Sequence, residues 1–159
     1  MTNVKINTIL IDYLIIMDKI DLQNVQKNKM ILGLDPGRDK CGMAVMIRQQ
    51  VVYHQIIDSE RAIATIKELI RQYDLNLIVM GNGTTHKDWK KLIESAMAEV
   101  SVITVNEQNS TLEARDRYWE MYPPQGLQRL IPQGLRVPPR PVDDIVAILL
   151  IERYLQQSC

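Results

Sequence analysis

Three short apolar runs follow one another early in the chain with almost nothing between them: "MILGLD" (30–35), "GMAVMIR" (42–48) and "VVYHQII" (51–57). Each has the length of a strand and is bounded by polar or turn-forming residues. The spacers are too short to hold a crossover helix, so the runs are confined to an antiparallel meander. The second spacer, Gln49-Gln50, lacks the Gly or Asn that a tight hairpin favours, which leaves its register open.

Beyond Ser59 the period changes. Ala62, Ile63, Ile66, Leu69, Ile70 and Tyr73 recur at helical spacing behind a Ser start signal. "LNLIVMG" (75–81) is a fourth strand. A second helix follows Thr84 or Thr85, with Trp89, Leu92, Ile93 and Ala96 on one face, and "SVITV" (101–105) is a fifth strand. A third helix starts near Ser110 and stops before Pro123-Pro124. Residues 123–141 are proline-rich and read as a loop, and "VDDIVAILLIERYL" (142–155) is a strongly apolar helix. Strands four and five are each reached through a helix, so they are expected parallel to strand one or to each other. The class is α/β.

One domain fits 159 residues, and that length can bury a core. Nineteen basic residues balance nineteen acidic ones, so a polyanion would need a local patch rather than a global field. Cys41 and Cys159 form neither a disulfide framework nor a zinc motif, which suits a reducing cytoplasm. If exposed, Cys41 would be a redox liability. "TILIDYLIIM" (8–17) is broken by Asp12 and too short to span a bilayer, so no membrane partner is expected. Residues 1–29 read as an appendage, with Met30 an alternative start to a domain over 30–156.

The acids sit at element ends. Asp35 leaves strand one, Glu107 follows strand five, and Asp143 and Asp144 open the last helix. In open sheets of this kind, ligands gather at the carboxyl ends of parallel strands. Three carboxylates converging there cannot all ionise without a cation, and oxygen ligands suit Mg2+ or Mn2+. Each acid also has a plainer use. Asp35 can shape the turn with Pro36 and Gly37, and Asp143 and Asp144 favour a helix's positive end by ~0.3–1 kcal/mol. Adjacent helical residues point about 100° apart, so only one of that pair is expected to face a site. Glu113 fits a capping box with Ser110, whereas Glu107 has no such local duty.

"LGLDPGRDKCGMAV", "LIVMGNGT", "NEQNSTLEAR" and "VDDIVAILLIERYL", in this order and spacing, resemble the YqgF/RuvX family of RNase H-like nucleases, related to the RuvC Holliday-junction resolvases. The resemblance covers residues 30–156. It implies an RNase H-like five-stranded mixed sheet in order 3-2-1-4-5 flanked by helices, and a metal-dependent site built from Asp35, Glu107 and Asp143. Asp144 is second choice to Asp143. It also implies maturation of the small-subunit ribosomal RNA precursor, so structured RNA is the expected partner ahead of branched DNA. The chain departs from the family's usual residues at Asp39-Lys40, at "GNGTTHKDW" and at Asn106 and Gln108, which puts substrate and rate in question.

Two basic surfaces flank the expected site. "THKDWKK" (85–91) begins just past strand four, where helix-start amides with Lys87 can hold a phosphate. The plainer use is a solvated helix face with Trp89 packed inward. His86 is a weaker candidate, as a proton shuttle. Residues 115–140 carry five arginines against two acids, with Arg115, Arg136 and Arg140 as phosphate contacts alongside Lys40. The plainer use of that loop is a solvated surface loop or a contact with a second copy of the chain. A binding or assembly factor on the nuclease fold is the competing function. An actin-like ATPase needs two such domains, for which the chain is too short, and no P-loop occurs.

Overall fold

The computed structural model describes residues 29–157. Its elements are β1 (Met30–Asp35), β2 (Lys40–Ile47), β3 (Gln50–Asp58), α1 (Ser59–Tyr73), β4 (Leu77–Gly81), α2 (His86–Ala96), β5 (Ser101–Val105), α3 (Ser110–Met121) and α4 (Asp143–Gln157). Two single turns of 3-10 helix, Gly126–Leu130 and Gln133–Leu135, break the proline-rich segment. The appendage read over 1–29 lies almost entirely outside the described residues, as does Cys159.

One five-stranded sheet runs in the order β3-β2-β1-β4-β5. β1, β2 and β3 pair antiparallel, and β4 lies parallel to both β1 and β5. This is the RNase H-like arrangement expected. β1 is central, and its side chains alternate between two cores. Ile31 joins Ala44, Val79, Ala147 and Ile151 beneath α3 and α4. Leu32 and Leu34 join Val45, Ala62, Ile66 and Met80 beneath α1 and α2. Burial on both faces explains why β1 and β4 read as unbroken apolar runs. Among the described residues no helix is long and apolar enough to cross a membrane.

Several local expectations need correcting. The β2–β3 hairpin turns on Arg48-Gln49, one residue earlier than Gln49-Gln50, because Ile47 pairs with Gln50. Both turn residues take positive φ, 50° and 63°, as a primed turn requires. The strand twist therefore overrode the residue preference. The capping box at α3 does not form either. Asn109, at φ 62°, is the N-cap without a side-chain cap, Ser110 is already helical, and Glu113 pairs with Arg153 at 2.8 Å. Cys41 is fully buried with its Sγ 3.4 Å from Ser59 Oγ, so it presents no surface thiol. Trp89 packs against the α1/α2 core.

Candidate active site

Asp35 is the last residue of the central strand, and its partner across the β1–β2 ladder is Gly42. That glycine decides how the last helix can approach. A Cβ at position 42 would overlap the backbone carbonyl of Asp143, and one at Gly33 would overlap that of Ala147. With both absent, α4 lies directly on the sheet, and its first residue comes over the β2 position that faces Asp35.

Glu107 arrives from the other side. It follows β5, beside the exit of β4, and its carboxylate fills the space where Cβ atoms of Gly81 and Gly83 would stand. Its backbone N–H donates to Asn82 Oδ1 at 3.2 Å. Arg153 holds the same turn from α4 by donating to the carbonyls of Asn106 (2.6 Å) and Gln108 (3.0 Å). On the near side, Thr85 Oγ1 donates to the Pro36 carbonyl at 2.9 Å and ties the start of α2 to the turn after Asp35.

Asp35, Glu107 and Asp143 are each half-buried. Burial, then the negative charges of Asp143 and Glu107, raise the Asp35 pKa to about 7. The three expected carboxylates are thus electrostatically joined. None of them makes a side-chain ion pair among the described residues. Nor is any group of three or more His, Cys, Asp or Glu side chains among those residues placed so that it could hold a metal ion. Carboxylate oxygens are nevertheless the donor type that a hard divalent cation takes.

Asp144 behaves differently. It is 2 % exposed, and both of its oxygens are taken by Arg140 and His54. Its oxygens are engaged within the fold, whereas Asp143 makes no side-chain ion pair among the described residues. Arg140 is committed by the same contacts and stacks over the Tyr118 and Tyr122 rings, so it is not an open phosphate ligand. Arg136 is also turned inward: its guanidinium donates to the carbonyls of Ile131 (2.6 Å) and Arg129 (3.3 Å) and organises the loop. Lys40, Lys87 and Arg115 remain exposed. Arg115 lines a cleft of about 210 Å3 together with Thr111, Val137, Pro138 and Asp143.

Sequence reasoning passed over Gly42, Gly81, Gly83, His54 and Arg153. The two glycines flanking Asn82 at a strand exit were a usable signal of close approach. The roles of His54 and Arg153 depend on partners 90 and 45–47 residues away, which no local pattern encodes.

A family model described as the Tex protein YqgF-like domain matches residues 29–115, a span that takes in Asp35 and Glu107. The "Putative pre-16S rRNA nuclease" of Onion yellows phytoplasma is 30% identical over 105 residues, covering 55% of this chain and 70% of that protein. Protein tex of Bordetella pertussis is 35% identical over 79 residues, 44% of this chain and 10% of that protein. The chain spans at most 15% of the longer relatives it matches. In fold it is similar to Thermus thermophilus RuvC in complex with Holliday junction substrate, with TM-score 0.51 and 16% identity, over 81% of this chain and 95% of that one.

Proposed function

The chain belongs to the YqgF-like domain family of Tex protein, and from that premise we propose that it is a divalent-metal-dependent endonuclease acting on structured RNA, specifically a small-subunit ribosomal RNA precursor. The observation that carries this reading is Asp35: a carboxylate at the centre of the sheet's edge, raised to about 7 by burial and by Asp143 and Glu107. A structural acid would be paired, and this one is surrounded by its own charge. The RNA assignment draws its support from the phytoplasma relative, and a cytoplasmic setting agrees with it.

Asp35, Asp143 and Glu107 would hold Mg2+ or Mn2+. When bound, such an ion supplies Lewis-acid activation of the phosphodiester and acidifies water. The rest is done by the chain. Gly42 lets the Asp143 backbone close on the sheet, and Gly81 and Gly83 leave room for the Glu107 carboxylate. Arg115, at the rim of the cleft that contains Asp143, binds a neighbouring phosphate, with Lys87 and Lys40 extending the path.

A second reading, resolution of branched DNA, is favoured by the likeness to RuvC. Both are tested together by Mg2+- or Mn2+-dependent cleavage of a small-subunit ribosomal RNA precursor fragment and of a four-way DNA junction, with Asp35→Asn as control. Cleavage of the RNA, lost in Asp35→Asn, is the expected result. Cleavage of the junction alone selects the second reading. Tight binding with no cleavage of either by folded, metal-supplemented protein refutes the nuclease and leaves a binding factor.

A further inference from the structure

We propose that Asp144, gripped by His54 and Arg140, is a clamp that fixes the first turn of α4 and thereby sets Asp143 against Asp35, making His54 and Arg140 positioning residues. The proposal rests on the nuclease reading for what Asp143 does, but the clamp uses groups that reading leaves idle.

Both carboxylate oxygens are engaged. Asp144 Oδ1 accepts from Arg140 Nη1 at 2.9 Å, and Oδ2 accepts from Arg140 Nη2 at 3.1 Å. Oδ2 also meets His54 Nδ1 at 2.7 Å. The two partners come from unrelated places: His54 from the edge strand β3, Arg140 from the end of the proline-rich segment. Arg140 is itself stacked over Tyr118 (5.5 Å) and Tyr122 (5.7 Å) at the end of α3. One carboxylate therefore gathers β3, α3, the loop and α4. Burying it is tolerable only because every oxygen is matched.

The start of α4 needs such a device. Val142 precedes its first residue, and a valine side chain cannot accept from the exposed N–H groups of the opening turn. The Val142 carbonyl accepts from Ile145 and Val146, both at 2.9 Å, so the turn is formed but not capped by a side chain. An uncapped turn frays. Fraying here would move Asp143, whose backbone rests on Gly42 opposite Asp35. Adjacent helical residues diverge by about 100°, so with Asp144 pinned toward β3 the neighbouring Asp143 side chain cannot point the same way. Breaking such a pair would leave partners without their counter-charge, so Asp144 is held in one place.

The test uses the full chain with His54→Ala, His54→Gln and Arg140→Lys, each checked for folding by circular dichroism. Mn2+ affinity is measured by calorimetry, and kcat and KM on the cleaved substrate. His54→Ala is expected to weaken Mn2+ binding about tenfold and to lower kcat about tenfold, with KM moved less than about threefold. His54→Gln, whose amide N–H can still donate to Asp144, is expected to restore most of both. A purely structural role would lower the unfolding midpoint and leave kcat and Mn2+ affinity of the folded protein unchanged. That result in both His54→Ala and Arg140→Lys overturns the clamp. If wild type binds Mn2+ but cleaves nothing, the nuclease reading fails and the Mn2+ comparison still decides the clamp. If wild type neither binds Mn2+ nor cleaves, both fall.

Discussion

The first turn of α4 separates two regions that treat acidic side chains in opposite ways. Toward the exit of β1, Asp35 feels the negative charges of Asp143 and Glu107, and it holds its proton up to about pH 7. Toward β3, one residue further along the chain, Asp144 is deeply buried yet fully matched by Arg140 and His54. Burial by itself would raise its pKa, but the hydrogen bonds and charges of Arg140 and His54 outweigh burial and hold it below the usual carboxylate range. The difference teaches that burial alone does not assign a role to an acid. Matched charge keeps Asp144 ionised, whereas Asp35, beside like charges, keeps its proton.

The largest effect should come from the unmatched side. Asp35→Asn is expected to lower cleavage by about a thousandfold, the equivalent of several kcal/mol of transition-state stabilisation. The same substitution removes a half-buried charge beside two others. It should therefore raise the unfolding midpoint by a few degrees at pH 8 in a chelator, as followed by thermal denaturation. A midpoint lower than wild type would show that Asp35 is a structural acid and would erase the contrast.

Asp144→Ala should do the reverse. Removing it leaves Arg140 and His54 without their acceptor. Both are partly open to solvent, so the expected loss is about 2 kcal/mol in urea unfolding, less than the roughly 3–5 kcal/mol of a fully enclosed pair. No loss of stability would mean that the pairing is ornamental.

The two regions should also differ in the sign of their pH dependence. The folded-state pKa of Asp35 is raised, so its contribution is full below the ordinary carboxylate range and is lost as pH rises through about 7. The folded-state pKa of Asp144 is lowered, so its contribution is present above the ordinary range and is lost as pH falls through its folded value. Urea midpoints from pH 3 to 9 without divalent cation should lose their falling arm between about pH 4 and 7 in Asp35→Asn, and their rising arm below about pH 4 in Asp144→Asn. Changes on the opposite arms would reverse the assignment.

The smallest effect separates two arginines. Arg115→Ala should reduce the salt dependence of nucleic-acid binding by about one unit of slope, while stability stays within about 0.5 kcal/mol. Arg136→Ala should leave the slope unchanged, because its guanidinium already serves the carbonyls of Ile131 and Arg129. Equal slopes in the two variants would put Arg136 back among the phosphate contacts.

Much of this molecule was legible from local pattern. Short spacers forced the meander, helical periodicity placed α1 and α2, and the apolar run after Val142 placed α4. Asp35 stood out because it ends a strand, and Glu107 because it follows one and has no local duty. What failed was also local: Ser110 and Glu113 satisfy a capping pattern in sequence, yet Arg153 takes the glutamate from 40 residues away. Arg140 and Arg136 looked like free cations only because their acceptors come from loop backbone and from the buried Asp144.

The sequence by itself determined the order and type of the elements and which acids lie at their ends, since those follow from periodicity and turn chemistry along a few consecutive residues. Only the tertiary structure decided which of two adjacent aspartates is bound into the fold, Asp144, and which makes no ion pair among the described residues, Asp143. That choice rests on the direction in which α4 settles on Gly33 and Gly42, and on whether a histidine 90 residues earlier lies within hydrogen-bond reach. Such distances arise only when the chain closes on itself.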